Sequence, residues 1–198
     1  MKVDETQARW HEAYPADVAR TVTTDTGGTV LIRAIRHDDD ALEEAFVRGL
    51  SRESGYHRLL SARKVTPEWV SSMTHVDYRD HMALVATTST EGTERFIGVA
   101  RYVVDRATEH AEIAIVVADA WQHQGLGRKL LEALLDHAKA SGVREAEGIV
   151  LATNRPMLNL VRSLGFSVDR DPSDSTILRI RLTLSEANEP QHSSEQRD

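Results

Sequence analysis

Apolar residues recur at helical spacing through residues 125–140. Leu126, Leu130, Leu134 and Ala138 repeat every four positions, with Leu131 and Leu135 beside them. That period gathers the apolar side chains onto one stripe of an amphipathic helix. Ser141-Gly142 supplies its stop. Upstream the pattern changes to Ile113-Ala114-Ile115-Val116-Val117, continuously apolar and mostly β-branched, as in a buried strand. Shorter apolar runs predict strands over 82–87, 96–104, 146–151, 166–168 and 177–184, with 88–93 as a turn-rich connection between the first two. Residues 18–24 and 29–35 flank Asp25-Thr26-Gly27-Gly28, a hairpin signal. Acidic residues 38–40 suit the positive end of a helix that runs to about Leu50. Thr66-Pro67-Glu68 opens another, with Thr66 as N-cap and Pro67 in the first position. Pro156 starts a last helix that Gly165 closes.

The predicted order is ββαα, βββ, α, β, α, ββ. It implies an α/β protein with a mixed sheet and helices on both faces; helices are too few for a purely parallel, doubly wound sheet. Residues 18–184 form the expected domain. Residues 1–17 are an N-terminal extension that Trp10 and Tyr14 could pin to it. Residues 185–198 are polar and without periodicity, an expected disordered acidic tail.

Composition narrows the chemistry. The chain has no cysteine, which excludes disulfides, thiolate nucleophiles and an acyl-cysteine intermediate. The net charge of −7 argues against nucleic acid and suits a cationic partner. No apolar run approaches the roughly 20 residues of a membrane span. The N-terminus is charged and has no apolar h-region, so a cytoplasmic location is expected. Nine histidines are present, none at the His-x-x-x-His spacing of a helical zinc site, and no metal is expected.

The segment between the buried strand and the leucine-striped helix carries the main chemical signal. It reads Gln122-His123-Gln124-Gly125-Leu126-Gly127-Arg128-Lys129. Glycines let backbone N–H groups approach a ligand closely. A helix start offers unpaired N–H donors and a positive dipole end, which together suit an anion such as a pyrophosphate. Arg128 and Lys129 add charge, while His123 could touch the ligand or face solvent. A P-loop is absent, and so is the dinucleotide pattern, because Leu130 stands where its last glycine belongs. Taken alone, the hexapeptide is equally a helix start with two flexible glycines.

Gln122, Gly125 and Gly127 fit the pattern [Gln/Arg]-x-x-Gly-x-[Gly/Ala], which resembles the acetyl-CoA pyrophosphate loop of the GNAT superfamily of N-acetyltransferases. Residues 154–166, an asparagine, a helix and then Gly-Phe, resemble that superfamily's later segment. The resemblance spans about residues 18–184. It implies a GNAT fold with a central, mostly antiparallel sheet splayed at the acetyl-CoA site. It also implies acetyl-CoA as co-substrate, with the loop residues 122–129 and Asn154 and Met157 against it, and Val116 and Val117 presenting backbone groups. A narrower resemblance, through Tyr14-Pro15-Ala16, residues 28–39, Leu50-Ser51-Arg52-Glu53-Ser54, Ala111-Glu112-Ile113-Ala114 and residues 154–158, is to bacterial protein lysine acetyltransferases of the Pat type. Many of those carry an added regulatory domain, for which these 198 residues leave no room.

Direct transfer needs a base, because a free lysine has a pKa of about 10.4. Glu112, opening an apolar strand that leads to the loop, is the candidate, and it matches the glutamate that Pat-like enzymes use. Partial burial would raise its pKa. Many members of the superfamily protonate the leaving thiolate with a tyrosine at the position of Val161, and no tyrosine follows Tyr102. Residues 51–57, including Ser54 and Tyr56, lie where the superfamily lines its acceptor site, and could equally just join two helices. Three acceptor readings follow: a protein lysine, a small amine, or acyl-CoA sensing without turnover. The chain is expected to be a monomer or homodimer.

Overall fold

The computed structural model describes residues 14–59 and 65–184. Eight strands form one sheet: β1 (Arg20–Thr23), β2 (Thr29–Ala34), β3 (His81–Thr90), β4 (Thr93–Asp105), β5 (His110–Val117), β6 (Glu145–Leu151), β7 (Ser167–Arg170) and β8 (Ile177–Thr183). Their spatial order is β1-β2-β3-β4-β5-β6-β8-β7. Every neighbouring pair is antiparallel except β5 and β6. The helices are α1 (Asp40–Gly49), α2 (Arg52–Leu59), α3 (Pro67–Thr74), α4 (Leu126–Ala140) and α5 (Arg155–Ser163).

Adjacent residues of a strand point to opposite faces, and β4 shows what covers each. Tyr102 meets α4, its hydroxyl 2.9 Å from His137 Nδ1. Arg101, its neighbour, turns the other way, to Glu43 of α1 and the Met73 carbonyl of α3. Helices therefore flank both faces. The leucine stripe of α4 packs as the periodicity predicts, with Leu126, Leu130, Leu131 and Leu134 fully buried.

Three expectations change. Residues 51–57 are no plain connection, because Arg52–Leu59 is itself a helix. Its low apolar content gave no stripe to detect, and it forms because Ser51 caps it: the Ser54 N–H donates to Ser51 Oγ. The connection expected over 88–93 is a tight hairpin, with strands running to Thr90 and from Thr93 and the left-handed pair Glu91-Gly92 turning the chain. The first strand begins at Arg20, after a 3-10 turn at Ala16–Val18. Tyr14 itself packs on the domain: its hydroxyl donates to the Ala34 carbonyl and its ring meets Tyr78 edge-on. Trp10 and the expected tail 185–198 lie outside the described residues.

The acidic run 38–40 is structural. Asp39 is buried and takes two hydrogen bonds from the Arg33 guanidinium, at 2.7 and 2.9 Å, and one from the Arg36 N–H. Arg33 is 1% exposed and also donates to Glu94. Burial opposes its charge, but the hydrogen bonds and fields of Asp39 and Glu94 outweigh that, and its pKa lies above the ordinary arginine value. No helix among the described residues is long and apolar enough to cross a membrane.

Candidate active site

The sheet opens at one place. The parallel pair β5 and β6 stays in register for three residue pairs, His110 with Glu145, Ala111 with Ala146 and Glu112 with Glu147. Beyond these the strands diverge, while β5 remains paired to β4 as far as Val117. The opening belongs to a cleft of about 990 Å³ whose walls include Ile115, Val117, Ile149, Asn154, Met157 and Leu160. Glu112 stands at the point where the strands part, lines the cleft, and is exposed rather than partly buried.

At the far end of β5 the chain passes a 3-10 turn, Asp119–Trp121, into the glycine loop. Gly125 is the N-cap of α4, with φ +73°, a left-handed conformation that glycine adopts without steric cost. The first α4 N–H to find its helical carbonyl is that of Lys129, which donates to the Gly125 carbonyl. Leu126, Gly127 and Arg128 thus present backbone donors with no partner inside the helix, the arrangement that holds a phosphate.

The loop is braced from two sides. Gln122 donates both to Val117 O and to Ser54 Oγ, at 3.0 Å each. Asp119 accepts from the Ser51 hydroxyl, the Ser51 N–H and the Ser54 hydroxyl. Those bonds, the Ser51 hydroxyl first, hold the Asp119 carboxyl below its ordinary pKa. On the other side the β1–β2 turn docks on the loop: Asp25 N–H donates to Gln124 O, and Thr26 Oγ1 to Gln124 Oε1. The Asp25 carboxylate lies against Gly125, where a Cβ would come within 2.5 Å of its oxygens.

The structure divides the expected site residues. Gln122, His123, Gly125, Gly127, Arg128, Val116, Val117, Asn154 and Met157 line the cleft with Glu112. Three loop side chains do not. Leu126 is core, Gln124 is tied to the β1–β2 turn and Ala120 O, and half-buried Lys129 lies off the cleft walls. For Leu126 and Lys129 helical geometry explains this, since consecutive residues of a first turn point about 100° apart. Arg128 is partly committed, to Glu132 and to Ser163 of α5. Asn154 caps α5 by accepting from the Met157 N–H. Of the two valines, only Val117 offers its backbone. Ala118 N–H bonds to Ile97 O on β4, so by strand alternation Val116 faces the β4 ladder and Val117 faces the opening. Val116 contributes its side chain instead. Ser54 lines the cleft, but its hydroxyl is engaged by Asp119 and Gln122. Tyr56 is 53% exposed and is not a cleft wall. Val161 is fully buried, so its position presents only core. Sequence reasoning missed Asp119, which hydrogen-bonded loop geometry alone identifies, and Trp69, Met73, His81 and Val103, which reach the cleft from distant elements. Among the described residues His110, Glu145 and Glu147 bring ligand-type atoms within 4.8 Å of one another beside Glu112, an arrangement also accounted for by His–carboxylate pairing.

A model of the Acetyltransferase (GNAT) family matches residues 41–166. An acetyltransferase of Pseudomonas aeruginosa is 35% identical over 161 residues, covering 81% of this chain and 87% of that protein. Acetyltransferase Pat of Mycolicibacterium smegmatis is 34% identical over 116 residues, covering 58% of this chain and 34% of that longer protein. The GNAT domain of S. lividans PAT superposes with a TM-score of 0.78 at 28% identity, over 86% of this chain and 99% of that domain. The chain belongs to the Acetyltransferase (GNAT) family, and its domain resembles the GNAT domain of Pat-type acetyltransferases.

The two glycines separate ligand effects from folding effects. A Cβ on Gly127 would meet only Leu160 and Val117, at 3.5 and 3.7 Å, which is ordinary contact. Gly127→Ala is expected to keep its melting temperature and, should the loop hold a phosphate, to bind acetyl-CoA about tenfold more weakly, as calorimetry would read, because the methyl would crowd the backbone donors. Gly125→Ala is expected to lose at least about 1 kcal/mol of stability even without ligand, from its left-handed backbone and from the Asp25 carboxylate that its Cβ would displace. Unaltered affinity in folded Gly127→Ala would remove the loop from phosphate binding.

Proposed function

We propose that the protein transfers an acetyl group from acetyl-CoA directly to a primary amine, a protein lysine side chain, with Glu112 as general base. The observation that carries this reading is the placement of Glu112 at the last register pair before β5 and β6 part. The pyrophosphate would sit on the N–H groups of 126–128, and the pantetheine arm would run through the opening beside Asn154 and Met157. The acetyl group would then lie by Val117, whose N–H faces the opening and would stabilise the charge that develops on the carbonyl oxygen.

In the step itself Glu112 accepts a proton from the ammonium, directly or through water. The neutral nitrogen attacks the thioester carbon, a C–N bond forms and the C–S bond breaks. The second proton leaves the nitrogen, and the thiolate is protonated by it or by water. No tyrosine is required for this balance, which accommodates Val161 in the core. The Pat relatives favour a lysine of a protein such as an AMP-forming acyl-CoA synthetase over a small amine.

The test is titration of acetyl-CoA by calorimetry, followed by transfer to a purified acyl-CoA synthetase, read as acetyl-lysine by mass spectrometry. Micromolar binding with lysine acetylation is the expected result. Binding with transfer only to small amines would move the acceptor class, binding without transfer to any amine would leave an acyl-CoA sensor, and no binding would overturn the proposal.

A further inference from the structure

The cleft continues past Glu112, away from the loop, into a slot with its own chemistry. One line of register partners crosses the sheet there: His81 on β3, Val103 on β4 and Glu112 on β5. Directly paired residues project from the same face, and neighbouring strands lie about 4.8 Å apart. Val103 is thus the floor between His81 and Glu112, and it is 48% exposed, unusual for a valine near the centre of a sheet. Trp69 and Met73, four residues apart on α3, share one side of that helix and form the wall above. Arg101 reaches the cleft with its guanidinium against Glu43 and the Met73 carbonyl, so its charge is offset and the wall is tied to the floor. Glu53, from the first turn of α2, adds a carboxylate at the rim.

We infer that Trp69, Met73 and Val103 form a sleeve for the acceptor, that Glu53 attracts its charge, and that the sleeve selects an unbranched aliphatic arm ending in a primary amine. The inference rests on the transferase reading above and names the residues that choose its substrate. A lysine side chain matches each part: methylenes cover the apolar walls, the ammonium passes the indole face with cation–π attraction, and it ends at Glu112. A hydroxyl-rich amine does not match, because the three apolar walls would leave its hydroxyls desolvated without partners.

The experiment is steady-state transfer from acetyl-CoA to an Nα-blocked lysine peptide, to spermidine and to kanamycin, with wild type, Trp69→Ala, Trp69→Phe and Glu53→Gln. For Trp69→Ala the peptide KM is expected to rise about tenfold, from lost packing and cation–π attraction, with the acetyl-CoA KM within about twofold. Trp69→Phe restores most of the loss, which a merely structural defect in α3 would not show. Glu53→Gln raises the peptide KM less, and the difference shrinks in high salt. An unchanged peptide KM in folded Trp69→Ala, or kanamycin preferred over the peptide, overturns the sleeve and leaves the transferase standing. Acetyl-CoA binding without transfer to any of the three amines overturns both.

Discussion

Glu112→Gln is expected to lower kcat for amine transfer by about a hundredfold, the low end of what a positioned general base contributes. The acetyl-CoA dissociation constant should stay within about twofold, since pyrophosphate and pantetheine contacts lie elsewhere in the cleft. Glutamine keeps the size and one hydrogen-bonding oxygen but cannot take a proton. Its exposure on β5 means the substitution leaves no buried group unpaired, so a folding defect does not confound the result. Single-turnover kinetics separate chemistry from product release. A variant with wild-type kcat would exclude Glu112 as the base and shift attention to His81, which stands across Val103 from it.

The largest loss of stability is expected from Asp39→Ala. Arg33 is buried and Asp39 is its two-pronged partner, while Asp39 also holds the Arg36 N–H at the entry to α1. Removing Asp39 leaves the buried Arg33 guanidinium with Glu94 as its remaining carboxylate partner, at a cost of up to about 3–5 kcal/mol. In a chain of this size that corresponds to a fall in melting temperature of roughly 6–20 °C. The double variant Arg33→Met, Asp39→Leu should recover a large part of the loss, because neither charge is then stranded. A single variant that melts within about 2 °C of wild type would show that water reaches the pair. The acidic run therefore serves the join between β2 and α1 rather than a ligand.

Much of this was legible in the chain because it is local. The leucine stripe of α4, the cap at Thr66, and the Gly125 and Gly127 spacing each depend on residues within a turn or two. The resemblance of residues 122–127 and 154–166 to the superfamily ordered these pieces into one fold, which the family match over residues 41–166 bears out. Helix α2 was not legible, because its stability comes from Ser51 and from Asp119, 68 positions away. The length of the β3–β4 hairpin was not legible either, since Thr88, Ser89 and Thr90 take strand form only by pairing with residues 93–95.

By itself the sequence determined where the glycine-marked start of α4 lies and which strand leads to it, since both follow from glycine placement and hydrophobic period. It excluded cysteine chemistry outright and marked Glu112 as the acid that opens the strand leading to the loop. Tertiary structure alone decided that β5 and β6 part just beyond Glu112, that Val117 and not Val116 turns its backbone to the opening, and that Trp69, Met73 and Val103 meet in one slot. The physical reason is register. A strand's period states which residues share a face, but what stands opposite each of them is set by pairing between segments far apart in the chain.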